Sequence, residues 1–384
     1  MPNSIRILTG LIAIAIAIGA HAYLYHRMVH SVTQRRWARL LALTGLFLLT
    51  AGGVAARVLF RGEPDMWALA IAFPLWLGFF LYALMAVVAV DLARVVFDRR
   101  KTKVPHSPER RQFMARAAAA TAAVTGGGLA SYGVFRAYRP AELTELPVRL
   151  AGLPKALEGF TIVQLTDIHV GSVLQRAFVD DLVARANSAK GDLVAITGDL
   201  VDGTPSQLGQ YVGRLRNLQS KHGTYFVTGN HDYFSGADAW VKHLEGMGVN
   251  VLRNRHVSIG DGASSFDLVG VDDWGGMGWH NGYDLGAATA GRDPARASVL
   301  LAHQPSGLEF ASKANIGLQL SGHTHGGQIF PGNFVAQLMW GSRSAGLSQH
   351  GNSLLYVSRG CGFVGPPMRV GAAPEIVKVV LLPA

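Results

Sequence analysis

Apolar positions fall into two regimes along the 384-residue chain. Up to about position 140 they run in long uncharged stretches; beyond it they come as short runs separated by polar turns. Four stretches lack Asp, Glu, Lys and Arg: 7–26, 40–56, 66–90 and 117–135. Crossing a bilayer takes roughly 20 predominantly apolar residues, with about 17–25 tolerated. The second stretch sits at the short limit and the fourth is rich in Ala and Gly, so residues 1–139 are expected to form a transmembrane region of about four helices. Pro74 inside the third is compatible with this, because neighbouring groups in a helix bundle re-satisfy the backbone.

The connections set an orientation. Segment 27–39 carries Arg27, Arg35, Arg36 and Arg39 with no acid, and segment 91–116 carries eight Lys and Arg; 57–65 is balanced. The positive-inside rule puts the first and third connections in the cytoplasm of a multi-pass inner (cytoplasmic) membrane protein. Four crossings leave everything beyond about residue 140 extracytoplasmic, whereas three would leave it inside. Arg110-Arg111, ahead of the fourth stretch, resemble a twin-arginine export signal, a receptor-read address that would make the export machinery a partner; the same pair also satisfies the positive-inside rule.

Segment 140–160, with three prolines and no sustained period, is expected to be linker and lead-in. From 161 to 384 β-rich runs follow at 161–165, 192–197, 224–228, 298–302 and 317–321. Helical periods separate the first three: Phe178, Leu182, Val183 and Ala186 share one face, and Leu208, Tyr211, Val212, Leu215 and Leu218 another. Strands alternating with helices predict an α/β domain, parallel in its first half, with strand-only segments later that suggest a mixed sheet or two packed sheets.

Charge sharpens the division. The formal net charge is +10, but residues 1–140 hold 17 Lys and Arg against 5 Asp and Glu, while 141–384 hold 18 against 20. The second part therefore lacks the electrostatic footprint of a nucleic-acid binder, and no nucleic-acid partner is expected. The one cysteine, Cys361, can form no intrachain disulfide and is expected to be a small buried hydrophobe.

Five successive runs end in chemistry. Asp167 and His169 follow the first, Asp199 and Asp202 the second, Asn230, His231 and Asp232 the third, His303 the fourth, and His323 and His325 the fifth. Ligands of open α/β sheets bind beyond the carboxyl ends of the strands, so these side chains should converge on one rim. Asp167, His169, Asp199, Asn230, His303, His323 and His325 offer imidazole nitrogens with carboxylate and amide oxygens. That is too many ligands for one catalytic zinc and suits two divalent ions sharing a carboxylate; the donor types fit Mn, Fe, Zn or Co.

The series D-x-H, G-D-x-x-D, G-N-H-D, H and G-H-x-H resembles the calcineurin-like metallophosphoesterase superfamily over roughly residues 158–384. GHTHGGQI, with YVSRGCGFVGPPMRVGAAPEI later, is similar to a bacterial envelope-associated branch. That branch includes twin-arginine-exported wall phosphoesterases, cytosolic relatives and membrane-anchored hydrolases of UDP-2,3-diacylglucosamine. The resemblance implies an α/β, two-sheet αββα sandwich and two metal ions. One ion would take Asp167, His169, Asp199 and His325, the other Asp199, Asn230, His303 and His323, with Asp199 bridging. His231 would not bind metal but act on the phosphoryl oxygen or the leaving group, and Asp232 would hold a nearby loop.

The expected activity is hydrolysis of a phosphodiester or pyrophosphate, with a lipid- or wall-linked phosphoester substrate and the bilayer as partners. Two alternatives stay open: a cytosol-facing UDP-2,3-diacylglucosamine pyrophosphatase, and a metal-binding sensor or scaffold without turnover. Trp274, Met277 and Trp279 in the loop 271–284 are either a lipid-facing lip or loop packing, and Arg359 either a phosphate ligand or half of a salt bridge.

Overall fold

The computed structural model describes residues 3–59, 64–98, 107–262, 264–275 and 282–384. The chain divides into two compact units, residues 1–59 with 71–132, and residues 60–70 with 133–384.

The first unit is helical: α1 (Asn3–Tyr25), α2 (Arg36–Phe47), α3 (Gly53–Leu59), α4 (Trp67–Asp98) and most of α5 (Pro108–Ala137). Among the described residues three helical runs are long and apolar enough to cross a membrane, Leu8–His30, Arg36–Ala56 and Ala70–Val96. The fourth predicted stretch is helical, within α5, but is less apolar, with Ala, Gly, Ser and Thr dominating it, and it is not among these three runs. Helix α4 continues through Pro74. Asp91 accepts from Tyr23 at 2.6 Å and pairs with Arg27, tying α1 to α4. Gly126 brings α5 onto α4 so closely that a Cβ there would lie 2.8 Å from the Ala83 nitrogen.

The second unit holds two six-stranded sheets. In chain order the strands are β1 (Glu142–Leu150), β2 (Thr161–Leu165), β3 (Leu193–Thr197), β4 (Thr224–Val227), β5 (Asn250–Val251), β6 (Arg255–Asp261), β7 (Ser264–Gly270), β8 (Ser298–Leu301), β9 (Leu318–Ser321), β10 (Gly346–His350), β11 (Ser353–Val357) and β12 (Glu375–Pro383). One sheet runs β1-β12-β2-β3-β4-β5, the other β10-β11-β9-β8-β7-β6. The first-half strands pair in parallel as expected, β2 with β3, β3 with β4 and β4 with β5. The expected lead-in at 140–160 differs: β1 lies inside it and pairs in parallel with β12, from Glu142 opposite Glu375 to Leu150 opposite Pro383.

Every residue of β2, β3 and β4 is buried, because both faces of each strand are covered. Alternation sorts the side chains. Ile162, Leu193, Ala195 and Val227 meet Leu268, Val299, Leu301 and Leu320 of the other sheet. Val163, Leu165, Val194, Ile196 and Phe226 face α6 (Arg176–Ser188), α7 (Pro205–Val212) and α9 (Ala237–Glu245), through Val179, Leu182, Leu208, Trp240 and Leu244; the short α8 (Asn230–Phe234) lies between α7 and α9 in the chain. On the far side Val269, Val271, Leu300 and Ala302 pack under α10 (Leu285–Thr289) and α11 (Leu308–Lys313). The last helix is α12 (Gly332–Trp340). Helices outside two stacked sheets make the αββα sandwich. Helix α7 stops at Val212 and tightens into a 3-10 turn over Gly213–Asn217, shorter than the 206–220 period suggested, where Gly213 weakens the helix.

Candidate metal centre

Each of the five predicted runs ends at the same rim. Asp167 and His169 leave β2, Asp199 leaves β3, Asn230 and His231 open α8 after β4, His303 follows β8, and His323 and His325 follow β9. Asp167, His169, Asp199, His323 and His325 all adopt left-handed backbone, with φ of 51°, 51°, 50°, 73° and 51°. They are five of the nine non-glycine residues with positive φ among the described residues, so backbone strain is concentrated here. Gly198, at φ +84°, lets β3 turn beneath His303: a Cβ on it would sit 2.7 Å from the His303 Nδ1. Gly322 lies directly against the Asp167 carboxylate and Thr166, leaving no space for a side chain.

The predicted ligands form overlapping groups. The donor atoms of Asp167, His169 and His325, and those of Asp199, His303 and His323, each lie within 4.8 Å of one another. His169 Nε2 faces His325 Nε2 at 3.1 Å and Asp199 Oδ2 at 3.8 Å, and Asp167 Oδ1 lies 3.2 Å from His325 Nε2. Asp199 Oδ2 lies between the two groups, 3.2 Å from His303 Nε2. That contact is not a hydrogen bond: His303 Nε2 and Asn230 Oδ1 are both buried without a hydrogen-bond partner among the described residues. Since buried polar atoms are normally paired, the orphaned His303 Nε2 beside the Asp199 carboxylate fits a metal ion held between them.

Neighbours fix the rings. His303 Nδ1 is 2.9 Å from the Thr197 carbonyl, which leaves Nε2 for the centre. His169 Nδ1 is 3.1 Å from Asp202 Oδ2, and His231 Nδ1 is 2.5 Å from Asp202 Oδ1. One carboxylate thus orients a ligand and the candidate catalytic histidine together. His231 also comes within 4.8 Å of His169 and Asp199 donors, but its Nδ1 is committed to Asp202 and its side chain is 22% exposed, at the opening of the site. Asp232 is turned away. It accepts from the Gly229, Leu200 and Val201 amides at 2.7, 3.0 and 3.3 Å, holding the two turns as expected.

The electrostatics are those of interlocked carboxylates and imidazoles. Burial alone would lower His169 and His303, but Asp202 beside the first and Asp199 beside the second outweigh it; His169 is held at about 9 and His303 well above the ordinary range. Burial, then the neighbouring His303, hold His323 down at about 4, and burial lowers His325. Burial would raise Asp199, yet His303 and His169 bring it to about 2.

Two residues that support the site were given no role by the sequence reading. Asp202 was expected at the rim as the acidic flank of a turn, without a partner. Arg369 lies within the YVSRGCGFVGPPMRVGAAPEI segment but was assigned no part there; buried beneath the rim, it donates to the carbonyls of Arg359 at 2.8 Å and Ala372 at 3.2 Å, and also to Gly362, binding the 359–362 turn against Asp167. Arg359 pairs with Glu375 at 2.6 Å, the salt-bridge outcome. Trp274 stacks on Tyr283 with ring centroids 4.2 Å apart, the packing outcome, while Met277 and Trp279 lie outside the described residues.

Residues 160–327 match the calcineurin-like phosphoesterase family. The chain is 39% identical over 266 residues to a Bos taurus transmembrane protein with metallophosphoesterase domain, covering 66% of this chain and 60% of the relative. It is 36% identical over 254 residues to a Helicobacter pylori metallophosphoesterase, covering 65% and 66%. It is 34% identical over 286 residues to the metallophosphoesterase YkuE of Bacillus subtilis, covering 71% and 97%. The matches therefore span 60–66% of the bovine and H. pylori proteins and nearly all of the B. subtilis one.

Proposed function

This chain belongs to the calcineurin-like metallophosphoesterase family, and on that premise we propose that it is a membrane-anchored, metal-dependent hydrolase of phosphodiesters or pyrophosphates acting on an envelope or lipid-linked substrate. The observation that carries the reading is His303 Nε2, buried without a hydrogen-bond partner among the described residues and 3.2 Å from Asp199 Oδ2, which lies between two candidate ligand groups. Asp167, His169, Asp199 and His325 would hold one divalent ion, and Asp199, Asn230, His303 and His323 the other. The chemistry such a pair supplies is polarisation of phosphoryl oxygens and acidification of water. The protein supplies the rest. His231, fixed through Nδ1 by Asp202, presents Nε2 at the opening, where it donates to a phosphoryl oxygen or protonates the leaving oxygen. Glycines at 198 and 322 keep the rim free of side chains that would displace the ligands.

The test is hydrolysis of an aryl phosphodiester by the full chain in detergent, stripped by chelation and then supplied with Mn, Fe, Zn, Co or Mg. Turnover should return with metal. In His231→Ala it should fall by about 10²–10⁴ while metal content stays at the parent level. Parallel loss of metal would refute the role of His231, and no turnover with bound metal on soluble or lipid diesters would favour the sensor alternative.

A second reading is favoured by the count of three strongly apolar spans. With the first connection inside, three crossings put the phosphoesterase unit in the cytosol, where a hydrolase of the UDP-2,3-diacylglucosamine kind would act. Labelling of Lys221→Cys with an impermeant maleimide in spheroplasts separates the two, since Lys221 is exposed and Cys361, the one native cysteine, is buried.

A further inference from the structure

Helix α12 carries its apolar side chains outward, unlike α6, α7 and α9 of its unit. Only Ala336 of its nine residues is buried, while Phe334, Val335, Leu338 and Met339 are exposed by 55, 54, 86 and 66%. Positions 334 and 338, and 335 and 339, are four apart and share one flank, so these side chains form one apolar face. Phe330, partly exposed just ahead of the helix, extends it edge-on to Phe334 at 5.7 Å. The helix begins seven residues after the ligand His325, and its last residue, Trp340, packs edge-on against the ligand His323 at 5.9 Å. An apolar face of this kind on an otherwise closed domain marks an interaction site.

The occupant follows from charge and tether. From Phe310 to Pro374 the chain contains no Asp or Glu but has Lys313, Arg343, Arg359 and Arg369. Of these, Lys313 is exposed but has the exposed Glu309 four residues before it in α11, and Arg343 is half-exposed, whereas Arg359 is paired and Arg369 buried. A second copy would set Phe334, Val335, Leu338 and Met339 against the same side chains, with no acid from 310–374 to meet Arg343. An anionic lipid surface complements it, and the chain already carries three helices fit to cross a bilayer. We propose that α12 is a membrane-docking element whose Phe334, Val335, Leu338 and Met339 enter the hydrocarbon boundary of the bilayer and hold the metal rim at the lipid surface. Resting on the phosphoesterase reading, this also names the substrate class: a phosphoester whose apolar portion lies in the same layer, within reach of the ions.

The experiment uses the full chain in vesicles of phosphatidylethanolamine and phosphatidylglycerol with brominated acyl chains. An environment-sensitive dye is placed at Leu338→Cys or, as control, at Lys221→Cys, in the turn before β4 at the amino ends of the strands, away from the metal rim. Burial of Cys361 makes both labels selective. Bromine should quench the dye at 338 several-fold more than at 221. Equal, weak quenching overturns the proposal, as does a dye at 338 that self-quenches between copies while ignoring the brominated lipid. In a second arm, Leu338→Asp should lower turnover of a diester embedded in the vesicles and leave a soluble aryl diester unchanged; equal effects on both refute docking. If neither diester is hydrolysed by the parent chain, the phosphoesterase reading fails while the quenching result still decides docking.

Discussion

Left-handed backbone at Asp167, His169, Asp199, His323 and His325 is available because Asp and His are among the residues that tolerate it best. The motif spells out residue types that can serve as ligand and as turn at once, which is why the convergence of these side chains was legible without a structure. The supporting residues were not: Asp202 acts through two contacts 29 and 33 positions away in the chain, and Arg369 through carbonyls, which have no sequence identity. Asp202→Asn keeps one acceptor oxygen, so only one of His231 and His169 retains its partner. Its turnover should fall by about 10–100-fold, with a smaller loss of bound metal. Steady-state rates beside elemental analysis would show it, and an unchanged rate would remove Asp202 from the mechanism. Cys361 gives a simpler expectation. Buried at the root of the site, its thiol is pushed up to about 12, chiefly by desolvation. The folded protein should resist alkylation at pH 8 and react stoichiometrically once denatured, as mass spectrometry would report.

At the scale of elements, the five runs that end in ligands were legible from length and β-branched content, and their parallel order from the helices between them. Strand β1 was not. Pro147 and a mostly exposed pattern made 142–150 look irregular, yet β1 lies at the edge of its sheet, bonded only to β12, where proline is tolerated. The fourth apolar stretch was legible as a helix; whether it also crosses turns on its Ala and Gly, which support close helix packing as readily as they fill a bilayer. Gly126 is where that packing is tightest. Gly126→Val would drive a side chain into the α4 backbone at Ala83 and should destabilise the helical unit by about 1–3 kcal/mol, read as an earlier unfolding transition in detergent. An unmoved transition would mean that α4 and α5 separate at no cost.

For the molecule as a whole, the centre couples stability to pH and metal. Without metal, His169 and His303 are raised and His323 and His325 lowered, against an ordinary value of about 6.5. Below that pH the unfolded chain protonates all four and the folded chain two, so stability rises with pH; Asp232, raised to about 7 by burial and Asp199, offsets part of this limb. Above it the folded chain keeps protons the unfolded chain has lost, and stability falls as pH climbs through about 9. Melting of chelator-treated protein should therefore peak near pH 6.5, and metal should abolish the falling limb because ligation replaces those protons. A melting temperature that rises steadily from pH 6 to 9 without metal would contradict this. The division into an apolar and a mixed half was plain from the sequence; which side of the membrane the second half occupies rests on one weakly apolar helix. There is finally a matter of timing. Strand β12 is synthesised after every other strand yet lies between β1 and β2, and its first residue, Glu375, holds Arg359 and, through its backbone, Cys361 beside the rim. A growing chain therefore has its membrane helices, and all seven predicted ligands, long before it can close the sheet that aligns them. Until the ribosome has delivered β12, the nascent protein has a gap in its first sheet, and the turn that Glu375 secures beside the candidate metal site lacks its anchor.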